Sequence, residues 1–200
     1  MPRKPRQLVT GAYYHVLARG NDRRRLFATD EDRGKYLALV TQYTRQYHVA
    51  VVHYCLMTNH VHLLMQPQQD GGDLTHAMHG LQLVYARYLQ RTHHQTGHVW
   101  EDRFKTLPIE TGNYLLECGR YIERNPVRAR LVSQPEAYPW SSAPAYLTDT
   151  ADPLLTLNPE YLALAATSEE RQSRYREYLQ TPRPYEHIVD RYFDERVLVS

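Results

Sequence analysis

The stretch Tyr54-Cys-Leu-Met-Thr-Asn-His-Val-His-Leu-Leu-Met65 decides the fold of this chain. It is apolar, it suits a β-strand, and it contains two histidines with one valine between them. Successive side chains of a strand point to opposite faces, so His60 and His62 share one face and Val61 lies on the other. Such a pair is either half of a metal site or two hydrogen-bonded histidines at the rim of a sheet.

Length and composition indicate one domain of ordinary size with a short appendage. The chain has 200 residues, and 42% of them are hydrophobic, which is enough for a proper core. We find no apolar run of membrane-spanning length, and Met1-Pro-Arg-Lys-Pro-Arg6 lacks the apolar region of a signal peptide. We therefore expect a cytoplasmic protein without a membrane partner. Cys55 and Cys118 are expected to be small buried residues.

The distribution of charge favours a nucleic-acid partner. Residues 149–200 hold ten acidic residues and six arginines, so the first 148 residues carry a formal charge of +6 in a chain whose net charge is +2. Nearly all the basic residues are arginines, which bind phosphate in a forked geometry and stack on bases. The 17 tyrosines add stacking surfaces that suit single-stranded nucleic acid.

Hydrophobic periodicity predicts an α+β domain. The predicted strands are Ala12–Arg19, Val49–Met57, a third strand from near Asn59 to about Gln66, and Val99–Ile109. The predicted helices run from Thr29 to about Tyr47, from Asp73 as the N-cap to the loop at Thr92, and from Tyr114 to about Arg124, where Asn125-Pro126 ends the last of them. The order strand, helix, strand, strand, helix, strand is that of a ferredoxin-like antiparallel sheet covered by helices.

The pattern changes after Val132. Four prolines interrupt the chain around Trp140-Ser-Ser142, and one further helix is predicted between Pro159 and Gln180. The sequence therefore predicts a first domain at residues 1–132 and a C-terminal extension, irregular and helical, at residues 133–200.

The third predicted helix carries candidate catalytic groups. At 100° per residue, Tyr114, Tyr121 and Asn125 lie along one border of its packed stripe. The Asn125 oxygen with His60 and His62 would give three ligands to Mn²⁺ or Mg²⁺, and the ion would polarise a phosphate that a tyrosine attacks. Spacing alone does not choose between the two tyrosines, which could both merely flank the core, and Asn125 could merely end the helix.

Several stretches together carry a resemblance to a known family. The chain resembles the HUH-type tyrosine transposases, in particular the REP-associated tyrosine transposases. The matching stretches are Tyr14-His-Val-Leu-Ala-Arg-Gly-Asn21, Met57-Thr-Asn-His-Val-His-Leu-Leu64, Trp100-Glu-Asp-Arg-Phe-Lys105, Arg120-Tyr-Ile-Glu-Arg-Asn-Pro-Val-Arg-Ala-Arg-Leu-Val132 and Trp140-Ser-Ser142. They span about residues 12 to 145.

The resemblance implies a ferredoxin-like HUH nuclease core that cleaves and joins single-stranded DNA at hairpin repeats through a 5′-phosphotyrosine. It implies Tyr121 as the nucleophile, because that residue starts the Tyr-x-x-x-Asn-Pro stretch. It also implies a monomer in the bacterial cytoplasm, associated with the nucleoid. Asn125 stands where insertion-sequence relatives use Gln, and Arg130 stands where family members commonly have Gly.

Polar and basic residues near these stretches are the expected DNA contacts. They are Arg19, Arg23, Arg24, Arg25, Asn59, Arg103, Lys105, Arg124 and Arg128. Two other functions remain open on the sequence. One is a domesticated protein that binds a DNA hairpin without cutting it, and the other is a zinc-stabilised structural or RNA-binding domain.

Overall fold

The alternating strand pattern forms a four-stranded antiparallel sheet. The structure is a computed structural model, and it describes residues 8–110 and 112–180. The strands are β1 (Tyr13–Arg19), β2 (Val49–Leu56), β3 (His60–Pro67) and β4 (Lys105–Ile109). Their order across the sheet is β2-β3-β1-β4. This order confirms the predicted ferredoxin-like α+β fold.

The fourth strand is shorter than its sequence predicted. Pairing with β1 begins only at Lys105, opposite Leu17. The residues from Val99 were predicted to belong to the strand, but among them Trp100 makes an isolated bridge with Gly20. This segment therefore runs beside the end of β1 as a loop.

Two helices cover one face of the sheet. They are α1 (Asp30–Gln46) and α2 (Gly71–Thr92), and their apolar sides bury Val16, Val61 and Leu63 in a shared core. The predicted N-cap of α2 was wrong. Asp70 is the cap, and Asp73 bonds back to the Asp70 N–H as its capping-box partner, so the two intervening glycines lie inside the first turn.

A third helix, α3 (Asn113–Arg128), covers the opposite face and contains Pro126. The predicted helix end at Asn125-Pro126 was therefore wrong. A proline has no N–H, so it leaves the carbonyl of Ile122, four residues earlier, without its helical donor. The Asn125 side chain compensates, because its Nδ2 lies 3.4 Å from Ile122 O and 3.0 Å from Tyr121 O.

The C-terminus of α3 contains Arg130, the residue that stands where family members commonly have Gly. Arg130 has a φ of 58°. Its N–H donates to Val127 O at 3.0 Å, and the Leu131 N–H donates to Pro126 O at 2.9 Å. These two bonds form a Schellman motif, whose left-handed residue is usually glycine. A glycine adopts this left-handed conformation without strain, which fits its common occurrence at this position in the family. In this chain Arg130 adopts the conformation instead.

The segment after residue 132 packs on β2 and α3. It contains α4 (Ala143–Leu147), α5 (Pro159–Leu162) and α6 (Ser168–Gln180). The single helix predicted between Pro159 and Gln180 is therefore two helices separated by a break. Leu116 of α3 shares a buried cluster with side chains from all three.

The segment after residue 132 forms backbone hydrogen bonds with β2. The Leu56 N–H donates to Trp140 O at 2.9 Å, and the Thr156 N–H donates to Val51 O at 2.8 Å, so the extension continues the hydrogen bonding of β2. The division into domains stays a prediction, and residues 181–200 of the extension lie outside the described residues. Among the described helices, none is both long and apolar enough to cross a membrane.

The approach of α3 to the sheet depends on Gly119. A Cβ added at this position would lie 2.4 Å from Nε2 of His53 on β2. The register of β2 against β3 shifts between Val51 and His53, which marks a β-bulge. Because of the bulge, Val52 and His53 both face α3, where His53 Nδ1 lies 2.8 Å from Glu123 Oε1.

We expect Gly119→Ala to lower the free energy of unfolding by about 1–3 kcal/mol, because the new methyl group overpacks the contact with His53. The matched control is Gly34→Ala on α1, where a Cβ would meet nothing within 4 Å. This control should stabilise the protein by about 0.5–1 kcal/mol through helix propensity. Urea unfolding of both variants measures the difference, and an equal or higher stability for Gly119→Ala would contradict the packing account.

Candidate functional site

The two histidines of β3 lie on the face that α3 covers. His60 is 1% exposed and His62 is 0% exposed. Their ring centroids are 5.0 Å apart and the rings are perpendicular. Val61 and Leu63 point into the opposite core, as the alternation of the strand predicts. The predicted shared face of His60 and His62 is confirmed.

A neighbouring amide orients His60. Asn59 Nδ2 donates to Arg23 O at 3.4 Å, so the amide oxygen is the atom that faces the histidine. His60 Nδ1 lies 2.7 Å from this oxygen and donates to it. The Nε2 atom of His60 therefore carries the lone pair, which is the arrangement found in metal-binding histidines.

His15 of β1 contacts His62. Its Nε2 lies 2.9 Å from His62 Nδ1, and its side chain is fully buried. In the register of β1 and β3, His62 lies opposite Leu17, so His15 reaches it diagonally. The sequence alone does not reveal this contact, because it depends on the register between the two strands.

The imidazoles of the site are neutral at pH 7. Burial lowers the pKa of His15 to about 3. Burial, and to a smaller extent the charge of Arg19, lower the pKa of His60 to about 4. Burial lowers the pKa of His62 well below its ordinary value, and the neighbouring His60, His15 and Arg128 lower it further. Neutral imidazole is the form that binds metal ions.

Tyr121 and Tyr114 have different surroundings. The Tyr121 side chain is fully buried, and its ring lies edge-on to His62 and His15, with centroid distances of 5.7 and 5.8 Å. The guanidinium carbon of Arg128 lies 5.3 Å from the Tyr121 ring centroid. Tyr114 lies in the first turn of α3 and is 48% exposed. Of these two tyrosines, Tyr121 is the one that contacts the histidines.

Six of the predicted basic contacts lie on the end of β1, on the loop after it, or on and just before β4. Arg19 lies directly opposite His60 in the strand register, and its Nε donates to Glu101. The Asn21 N–H donates to Val99 O at 2.8 Å, so the loop after β1 adjoins the segment before β4. These two segments carry five of the predicted DNA contacts. Three are arginines in the loop after β1, and two are the basic residues just before β4 and at its start. Arg23, Arg25, Arg103 and Lys105 are exposed, and Arg24 is half-buried with a bond to Thr96 O.

Asn59 and Arg124, both predicted DNA contacts, form hydrogen bonds within the protein. Asn59 is 8% exposed, and its amide bonds to His60 and to the backbone of Arg23. Arg124 Nη1 donates to Leu179 O near the end of α6. In this structure Asn59 therefore orients a histidine, and Arg124 joins α3 to α6.

A buried polar network that the sequence does not reveal lies behind Tyr121. Glu123 of α3 is fully buried, and it accepts from Ser142 Oγ at 2.6 Å and from Tyr175 OH at 2.8 Å. The same carboxylate bonds to His53, and the other nitrogen of that ring lies 3.1 Å from Asn158 Nδ2. The network ties α3 to β2 and to the C-terminal segment. A glutamate on a packed helix face was the only sequence signal for it.

The sequence matches one known protein family over more than half of its length. The family model described as "Transposase IS200 like" matches residues 8–125. The chain belongs to the IS200-like transposase family. The resemblance read from the sequence motifs is therefore confirmed, and the chain is a member of a family of DNA-processing enzymes. No curated protein matches it.

A solved structure confirms the fold of this IS200-like transposase. A REP-associated tyrosine transposase bound to a REP hairpin aligns with a TM-score of 0.63 at 17% identity, over 79% of this chain and 90% of that chain. A candidate transposase from Deinococcus radiodurans R1 aligns with a TM-score of 0.40 at 22% identity, over 62% of this chain and 97% of that chain. The second likeness is too low to add to the assignment.

The donor atoms of the site fit a divalent ion. His60 Nε2 and His62 Nε2 are buried and have no hydrogen-bond partner within residues 8–110 and 112–180. Within the same residues, no three His, Cys, Asp or Glu side chains form a metal-binding group. An ion held here would therefore need an oxygen from another residue type, from water or from substrate.

We expect His60→Ala and His62→Ala each to abolish high-affinity binding of Mn²⁺, because each removes one of the two nitrogen donors. Electron paramagnetic resonance of free Mn²⁺ during titration measures the binding. The control is His79→Ala, which removes an exposed histidine of α2. Wild-type Mn²⁺ affinity in both site variants would show that the ion binds elsewhere.

Proposed function

We propose that this transposase cleaves and rejoins single-stranded DNA at hairpin sequences, with Tyr121 as the nucleophile. The contact of the Tyr121 ring with His62 and His15 carries the proposal, because it places the phenol beside the proposed metal ligand His62. The similar structure with a REP hairpin supports hairpin DNA as the partner. The basic residues beside the site provide the charge that such a partner requires.

The proposed metal site consists of His60, His62 and the Asn125 oxygen. Asn125 is 1% exposed and lies one helical turn beyond Tyr121. Its amide nitrogen is engaged with backbone carbonyls, which leaves the oxygen as the atom suited to a cation. A bound Mg²⁺ or Mn²⁺ would polarise the scissile phosphate and stabilise the charge of the departing oxygen.

Tyr121 would carry out the covalent step. Its free phenol has a pKa of about 10, so it must lose its proton to a base before it attacks. The Tyr121 oxygen then bonds to phosphorus, the bond from phosphorus to O3′ breaks, and O3′ takes up a proton. The product is a 5′-phosphotyrosine and a free 3′-hydroxyl. Attack of a second 3′-hydroxyl on the phosphotyrosine rejoins the DNA and restores the phenol.

One observation favours the alternative of a hairpin-binding protein without cleavage activity. Tyr121 and both histidines are buried, so a phosphodiester reaches them only after the site opens. If hairpin DNA does not open it, the protein binds without cutting. Action on nucleoid DNA in the cytoplasm and the monomeric state both stay predictions.

We expect wild-type protein with Mn²⁺ and a labelled single-stranded hairpin to form an adduct that survives denaturing electrophoresis. Tyr121→Phe loses only the attacking oxygen, so it should bind the hairpin and form no adduct. Tyr114→Phe is the matched control, and it should keep most of the activity because Tyr114 lies outside the site.

The perfect duplex of the same sequence is the control substrate. It should give far less adduct, because its bases are not free to stack on protein side chains. Adduct formation by Tyr121→Phe would contradict the assigned nucleophile. Binding of the hairpin without any adduct in the wild type would support the alternative function.

A further inference from the structure

His15 is a buried histidine to which the proposed chemistry assigns no role. It lies on the central strand β1, and its Nε2 is 2.9 Å from Nδ1 of His62. The two ring centroids are 5.0 Å apart. The chemistry uses His62 only through its other nitrogen, Nε2, which is buried and lacks a partner in the described chain. His15 therefore touches the side of the ligand that faces away from the ion.

We propose that His15 is a positioning residue that fixes the tautomer and the ring orientation of His62 for metal binding. For His62 Nε2 to donate its lone pair to an ion, the ring proton must be on Nδ1. A buried Nδ1–H without an acceptor is costly, and Nε2 of His15 supplies the acceptor. The inference rests on the proposed metal site.

The two proposed ligands, His60 and His62, have similar surroundings. His60 donates from Nδ1 to the Asn59 oxygen at 2.7 Å, and His62 has His15 in the corresponding place. Each ligand therefore has a buried partner on its Nδ1 side and an unpartnered Nε2. Partners of this kind typically contribute 10–100-fold to metal affinity, so we expect a loss of about that size when His15 no longer accepts the hydrogen bond.

The register between β1 and β3 sets the length of side chain that can reach His62 from position 15. His15 pairs with Leu64 and lies diagonal to His62, a separation that requires a long side chain. The ring also packs edge-on against Tyr121 with a centroid distance of 5.8 Å. His15 therefore contacts both the proposed ligand and the proposed nucleophile, and its Nε2 accepts the hydrogen bond from His62 Nδ1.

The test compares His15→Gln with His15→Met, two side chains of nearly equal length and shape. The Gln oxygen can accept from His62 Nδ1, whereas the Met thioether is a poor acceptor. We expect Met to weaken Mn²⁺ binding to the DNA-free protein by about 10–100-fold and Gln to keep the affinity near that of the wild type. Electron paramagnetic resonance measures the affinity, and His79→Phe is the surface control.

Urea unfolding without metal separates this role from a merely structural one. Met should be at least as stable as Gln at a buried position, because Gln brings polar atoms into the core. Mn²⁺ affinity should therefore be higher for the Gln variant, whereas stability against urea should be higher for the Met variant. If the wild type binds Mn²⁺ through His60 but the Met and Gln variants bind it equally well, the proposed role of His15 is wrong and the metal site still stands. Failure of the wild type to bind Mn²⁺ would overturn the metal site and this inference together.

Discussion

The close contact between α3 and β2 is the constraint on which the site depends. Gly119 leaves room for the ring of His53, and the β-bulge at Val52 turns that ring towards the helix. Glu123 then bonds to His53 from two residues beyond Tyr121. With the helix held at this distance and rotation, the Tyr121 ring rests on the histidine face of β3. A larger residue at position 119 would move Tyr121 away from the histidines that are the proposed metal ligands.

The C-terminal segment takes part in this arrangement. Ser142 and Tyr175 donate to Glu123, and Asn158 bonds to His53, so the contact between α3 and β2 is enclosed by residues of the extension. A buried carboxylate is stable only when its oxygens are satisfied, which makes these partners part of the site's support. The ferredoxin-like sheet carries the candidate chemistry, and the extension helps to hold the helix that completes it.

The sequence predicted those features that follow from local periodicity. The two-residue repeat of β3 placed His60 and His62 together, and the helical repeat placed Asn125 one turn beyond Tyr121. It did not reveal the contact of His15 with His62, since this depends on the register between two strands. It also missed the continuation of α3 through Pro126, because a side-chain amide replaces the lost backbone donor. The position of His53 depends on a bulge, which the strand pattern does not show.

The central claim is that Tyr121 forms the covalent bond to DNA. Its most direct test is peptide mapping by mass spectrometry of wild-type protein that has reacted with single-stranded hairpin DNA in Mn²⁺ and has then been digested with nuclease and protease. The account predicts a nucleotide phosphate on the peptide that contains Tyr121, with fragmentation that assigns it to that phenol. A nucleotide on Tyr114 or on any other side chain would contradict the account.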